Sequence, residues 1–374
     1  MSDYRLGIPL SGVTAGYPGH HASNPNIFPQ LMEAATNCIQ NFCLVKPGEN
    51  VLVVAEPDTD PFVVASMSSA ATLAGAEVAV MTVPPFPAGG YLHGTPSNML
   101  VGAYEQSDVV VACTYFEFAH NERTFFSKIF SGKKRVCSIL MGSTPGCLVT
   151  GGRFPMELLT AIGTRMNEKM NNCKTVRYTT DSGTDITFEG LQGIAHMTPL
   201  RTGSWGIFPS MGINFYPETS NGVFVFDEAT LIGKPRQPVK ITVKDNFVSK
   251  VEAGAQADAD IIEAFSNGKY YVRHTVIGLN PKTRMNNAPQ FERERAAGTS
   301  YLGIDGTGPN NEADLQVPGF AHLDVIFDTP TVYFDDEMVV DRRKLLVLED
   351  EDIQKLASKY GDPRRLLAQN SFLW

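Results

Sequence analysis

The sequence has no uninterrupted apolar run approaching the roughly 18–20 residues that a membrane-spanning helix needs, so no such span is expected. Positive charge is in deficit, with 31 Lys and Arg against 40 Asp and Glu. The net charge of −9 argues against a surface built to grip nucleic acid, which requires a basic face. It leaves room for a local basic pocket. No Cys-x-x-Cys pair occurs. The six cysteines (Cys38, Cys43, Cys113, Cys137, Cys147 and Cys173) are scattered through the first half. That spacing fits reduced, mostly buried thiols in a cytoplasmic protein, not a disulfide framework or a zinc–cysteine site. The opening Met1-Ser2-Asp3-Tyr4-Arg5 has no basic region leading into an apolar one, so no secretory signal is expected. No GxGxxG follows a strand pattern and no GxxxxGK[ST] occurs, which leaves a nucleotide-binding reading with little support.

What is present is a globular composition. With 43% hydrophobic and 19% charged residues, the 374-residue chain is not a disordered one. Its length suits two domains, each with its own core. Residues 1–27, rich in Gly, Pro, His and Asn, read as an N-terminal arm. Phe28–Cys43 has apolar residues at helical spacing. The runs ENVLVVAEP, Glu77–Val83, Ser107–Tyr115 and Arg135–Met141 read as strands, with a helix over 60–75 between the first two. This alternation predicts a doubly wound α/β domain with a parallel sheet over 28–170.

After a helix at about 155–172 the pattern changes. Residues 174–254 alternate as antiparallel strands do, with a hairpin signal at Lys244-Asp245-Asn246. A short helix is expected near Asp258–Phe265, a strand over Tyr271–Leu279, a loop over 305–318 and a helix over Asp350–Tyr360. Residues 171–374 are therefore expected to form a second, mainly β (α+β) domain.

Seven histidines are present, and three of them lie in the strand-like second half: His196, His274 and His322. The sharpest local feature is Ala321-His322-Leu323-Asp324. In a strand, residues i and i+2 point to the same face, so His322 and Asp324 present an imidazole and a carboxylate together. His274, in a separate apolar strand, is the natural third ligand. Two histidines and one carboxylate suit a non-haem Fe(II) with open positions. A hydrogen-bonded structural His–Asp pair is the competing reading of the same residues.

The segments KYYVRHTVIGLNP, GTSYLGI and GFAHLDVIFDTPTVYFDD resemble the metal-binding segments of two related families. One is the aminopeptidase T type of metallopeptidase; the other is 2,5-dihydroxypyridine 5,6-dioxygenase. NFYPETSNGVFVFDEATLIG is similar to the segment that precedes a buried strand in both. The peptidases hold two metals. Where they carry a glutamate and a histidine, this chain has His274 and Tyr301. The resemblance therefore implies the mononuclear iron site of the dioxygenase: His274, His322 and Asp324 around Fe(2+). Glu218 matches the peptidases' first glutamate. It is either a leftover group beside the site or support for a second metal.

The dioxygenase resemblance further implies that His120 and His196 are pocket imidazoles that bind substrate and move protons, in a cleft between the domains. Thr299 and Ser300 are implied hydroxyls for a bound ring. Phe116, Phe118, Trp205 and Phe208 are candidate pocket walls, and Arg293 and Arg295 are read as surface or interface charges. His20 and His21, in the arm, are given no role. The implied partners are a hydroxylated pyridine and dioxygen, in a cytoplasmic homo-oligomer. The alternatives are a two-metal aminopeptidase and a metal-free binding relative.

Overall fold

In the computed structural model the described residues are 25–369, apart from 58, 85–96, 115–133, 140–144, 196–198, 210–211, 230–233, 254–269, 287 and 306–321. The arm expected over 1–27 therefore lies outside them except for its last three residues. So do the helix expected at Asp258–Phe265 and almost all of the loop 305–318. Met1–Glu157 with Thr198–Ser210 makes one compact unit; Leu158–Met197 with Met211–Trp374 makes the second.

Unit 1 is built on a parallel sheet. Its strands are β1 (Asn50–Ala55), β2 (Glu77–Thr82), β3 (Val109–Cys113) and β4 (Arg135–Ser138). The valine runs of β1 and β3 occupy the sheet centre, where every residue but Asn50 is buried. That is why they read as continuous apolar segments and not as alternating ones. The first helix, α1 (Phe28–Thr36), continues without a break into a π-helical turn over Asn37–Phe42. Helix α2 (Pro61–Leu73) starts where the Asp60 carboxylate accepts from the Phe62 amide and Pro61 takes the first helical position. Helix α3 (Asn98–Gln106) is capped in the same way by Ser97. Helices α4 (Pro145–Val149) and α5 (Met156–Asn171) follow.

The chain next lays down β5 (Thr175–Thr179) and β6 (Asp185–Ala195) in unit 2. It then returns to unit 1 for β7 (Ser204–Ile207), which pairs in parallel with β4. Alternation over 174–254 gives no sign of this fifth strand, because four residues are too few to show a period. Its local chemistry holds it in place. A Cβ on Gly206 would stand 2.9 Å from a Leu200 methyl and 3.0 Å from the Phe42 ring. Trp205 Nε1 donates to Ser138 Oγ at 2.9 Å. Phe208 is buried against Phe42, with ring centroids 5.6 Å apart. Of the candidate pocket walls, Phe208 is thus part of the unit 1 interior, and Trp205, half-buried, packs against that core. Phe116 and Phe118 lie outside the described residues.

Unit 2 carries a large antiparallel sheet. Its long strand β8 (Ile213–Val225) is followed by β9 (Glu228–Ala229), the hairpin β10 (Val239–Lys244) and β11 (Phe247–Ala253), and β12 (Tyr271–Ile277). Asp245 and Asn246 make the hairpin turn with φ of 48° and 70°, the doubly left-handed turn that this dipeptide signals. After the short helix α6 (Gln290–Arg293) come β13 (Ser300–Asp305), β14 (His322–Phe327), β15 (Thr331–Phe334), β16 (Glu337–Asp341) and β17 (Lys344–Leu345). Helices α7 (Glu351–Ala357) and α8 (Pro363–Leu366) end the described chain. The strand order is β17-β16-β15-β5-β6-β8-β10-β11-β12-β13-β14-β9, and β8 also pairs with β12.

One face of β12 and β13 is tied down by a buried polar contact. Thr275 Oγ1 lies 2.7 Å from the Tyr178 hydroxyl and 3.0 Å from Tyr301 O. Thr275→Val keeps the shape but removes a hydrogen bond of the buried Tyr178 hydroxyl. It is expected to cost about 1–3 kcal/mol, read as a lower midpoint in denaturant at unchanged slope.

Candidate metal centre

Strand register brings the central residues together. His274 is the cross-strand partner of Gly303, and Gly303 is the partner of Asp324. The three positions therefore lie side by side across β12, β13 and β14. Two residues along, Val276, Tyr301 and Ile326 form the next row and pack as a small buried cluster beneath the site. A register shift between Val272 and His274 inserts Arg273 beside the row. Arg273 Nη1 donates to Asp305 Oδ2 at 2.8 Å.

Gly303 is what lets the two flanking side chains meet. A Cβ built on it would stand 2.0 Å from His274 Nε2 and 2.2 Å from His274 Cδ2. The imidazole thus occupies the space that any other residue at 303 would fill. His274 Nε2 is 3.8 Å from Asp324 Oδ1, too far for a hydrogen bond between them. Both residues are only 9% exposed. Position 322 opens β14, and the two-residue repeat of a strand puts it on the same face as 324. An imidazole and a carboxylate converging over a bare backbone position, with a second histidine position on that face, fit a divalent cation held by nitrogen and oxygen.

Aromatic rings surround His274. Tyr216 lies with its centroid 5.8 Å away, and Tyr301 meets it edge-on at 6.0 Å. Tyr301 is fully buried. Burial, together with the Asp324 and Glu294 carboxylates, holds its phenol well above the ordinary value. Tyr301 is thus a neutral wall.

Sequence reasoning missed Gln290 and Glu294. Gln290 Nε2 donates both to Glu294 Oε1 at 2.9 Å and to Asp324 O at 2.7 Å. One amide therefore fixes the backbone of the Asp324 strand against a buried carboxyl. Burial, and secondarily the Asp324 charge, pushes Glu294 up to about 8. In the unfolded chain Glu294 loses its proton near its ordinary value of 4.5. The stability it contributes is therefore full below that pH and lost as pH rises through 8. Glu294→Gln has no proton to lose. In chelator-treated protein it is expected to raise the melting temperature relative to wild type at pH 8, with the gap closing toward pH 4.5.

The remaining expected residues divide. His120 and His196 lie outside the described residues. Thr299 Oγ1 donates within its own turn, 2.7 Å from Ala296 O and 2.9 Å from Arg293 O, and is fully buried. Ser300 falls on the face of β13 opposite Gly303, since strand residues alternate. Glu218 lies over β6, where a Cβ on Gly190 would stand 2.6 Å from its Oε2.

Arg293 and Arg295 are not surface charges. Both are buried, and Arg293 pairs with Glu228 and, at 2.5 Å, with Asp328. Such partners are what allow a guanidinium inside. All six cysteines are thiols, four of them buried. Among the described residues no helix is long and apolar enough to cross a membrane.

The family model of 2,5-dihydroxypyridine 5,6-dioxygenase (NicX) matches residues 31–347. The chain belongs to the NicX family. The resemblance read in KYYVRHTVIGLNP, GTSYLGI and GFAHLDVIFDTPTVYFDD is thereby borne out, and the chain is an enzyme of a dioxygenase family. Two solved structures share the NicX-family fold. The 2,5-dihydroxypyridine dioxygenase of Pseudomonas putida KT2440 superposes with a TM-score of 0.61 at 17% identity, over 86% of this chain and 97% of its own. AmpT of Thermus thermophilus superposes with a TM-score of 0.56 at 12% identity, over 86% of this chain and all of its own. No curated protein sequence matches the chain.

Proposed function

We propose that this NicX-family protein is an Fe(II)-dependent, ring-cleaving dioxygenase of a hydroxylated pyridine, 2,5-dihydroxypyridine or a close relative. The observation that carries the reading is the row His274–Gly303–Asp324, with position 322 on the same face. His274, His322 and Asp324 would hold the metal from one side and leave the other side for substrate and dioxygen. When bound, Fe(II) supplies the redox chemistry that activates dioxygen toward an electron-rich ring.

The residues of the chain do the rest. Gln290 keeps the Asp324 backbone in place through its hydrogen bond to Asp324 O. Tyr301, Val276 and Ile326 form a dry floor. Tyr216, about one-third exposed, is the ring beside His274 best placed to stack on a planar substrate. His196 and His120 are assigned proton transfer: a neutral imidazole accepts the ring hydroxyl proton and returns it to the product. Overall, the ring bond between C5 and C6 breaks and both atoms of dioxygen enter the product. The product of 2,5-dihydroxypyridine is of the N-formylmaleamic acid type.

The test is dioxygen uptake by anaerobically Fe(II)-reconstituted protein on adding 2,5-dihydroxypyridine, with loss of ring absorbance followed in parallel. One-to-one coupling is the expected result. Uptake only with another hydroxylated N-heterocycle would keep the chemistry and change the substrate. No uptake with any such ring, together with release of amino-terminal residues from peptides, would replace the reading by a two-metal aminopeptidase.

A further inference from the structure

Three cysteine sulfurs converge in the interior of unit 1, apart from the β12–β14 site. Cys38 Sγ is 4.0 Å from Cys43 Sγ and 3.7 Å from Cys137 Sγ. All three lie within 4.8 Å of one another and are buried, and among the described residues no His, Asp, Glu or further Cys joins them.

The backbone is bent to bring them together. In an α-helix, residues five apart point about 140° away from each other. Here the chain adopts a π-helical turn over Asn37–Phe42, closed by the Cys43 amide donating to Cys38 O at 2.7 Å. Single π-turns cost hydrogen-bond quality and concentrate at functional sites. Immediately afterwards Leu44, a non-glycine residue, takes φ of 53° and turns the chain out with its side chain 41% exposed. Positive φ at such a residue is a strained choice that its surroundings must enforce. Arg135 enforces it: Nη1 donates to Cys43 O at 3.0 Å and to Leu44 O at 2.6 Å. Arg135 and Cys137 are i and i+2 in β4, so one strand face supplies both the clamp and the third sulfur.

The spacing has a chemical meaning. With a thiolate–metal bond of about 2.3 Å, sulfurs on one ion stand ~3.8 Å apart in a tetrahedral site and ~4.0 Å apart in a trigonal one. The two measured edges, 3.7 and 4.0 Å, fall at these values. Structural Zn(II) takes four ligands; a three-thiolate set in a dry interior suits a soft cation that accepts three. The Arg135 guanidinium, held at the Cys43 carbonyl, offsets part of the thiolate charge.

We infer that Cys38, Cys43 and Cys137 form a second metal site, for a soft d10 cation of the Cu(I) class. It is distinct in ligand chemistry from the nitrogen–oxygen site of unit 2. The test is anaerobic titration of the full-length, iron-loaded protein with Cu(I) against a Cu(I) chelator, with metal content measured after desalting. Wild type is expected to keep one equivalent of copper with no loss of iron. Cys137→Ser and Cys38→Ser are expected to lose that equivalent, and Cys173→Ser to keep it. Because a core variant can fail to fold, the copper-edge X-ray absorption of wild type supplies the second readout. Three sulfur scatterers at about 2.3 Å support the site. No copper retained by folded wild type, equal retention in Cys137→Ser, or nitrogen and oxygen scatterers would overturn it and leave the three thiols as packed apolar side chains.

Discussion

His274→Ala and Asp324→Ala are each expected to lose bound Fe(II) and, with it, dioxygen uptake, while the far-ultraviolet spectrum stays that of the wild type. Removing a group that only orients a ligand commonly costs 10–100-fold in metal affinity. Deleting a ligand is expected to exceed about 100-fold. The fold should survive, because the row beneath the site, Val276, Tyr301 and Ile326, is apolar and independently packed. Iron retained at wild-type stoichiometry in either variant would end the ligand assignment. A simple structural His–Asp pair predicts loss of stability with no change in iron, so the two readings separate in a single experiment.

Gly303→Ala is expected to have an effect almost as large without touching a ligand. The added methyl would stand 2.0 Å from His274 Nε2, a distance that forces the imidazole aside. Overpacking of this kind costs about 1–3 kcal/mol, and the displaced ring no longer points its nitrogen toward Asp324. Iron retention should fall while Asp324, His322 and the strand pairing remain. The double variant His274→Ala/Gly303→Ala removes the clashing partner. Its stability loss should therefore fall short of the sum of the single losses by about 0.5–3 kcal/mol, and it should still lack iron. Strictly additive stability losses in the double variant, or wild-type iron in Gly303→Ala, would show that the methyl is absorbed elsewhere.

Much of this fold was legible in local pattern. The Val-rich strands of unit 1 and the Asp245-Asn246 turn announce themselves because burial on both faces and a left-handed dipeptide each leave a residue-level trace. Strand β7 left none, since four residues carry no period and its pairing with β4 is decided by contacts of Trp205 and Gly206 far along the chain. The strand His322–Phe327 was readable because its segment carries the alternation and β-branched residues of a half-buried strand.

The role of Gly303 was not readable. A glycine inside a strand pattern hints at a close approach, but the approaching group, His274, lies 29 positions earlier. Arg293 and Arg295 were misplaced because charge alone says surface, whereas Glu228 and Asp328 make an interior position tolerable for Arg293. Thr299 and Ser300 show the same limit. Their hydroxyls were visible in the sequence, but a turn's internal hydrogen bonds and the parity of a strand decide where hydroxyls point.

Fe(II)-reconstituted protein should be turned over on 2,5-dihydroxypyridine under ¹⁸O₂, and the product weighed by mass spectrometry. A single acyclic product carrying two labelled oxygen atoms, absent in His274→Ala, is the predicted result. A product with an intact ring, or one whose new oxygens come from water, would contradict it.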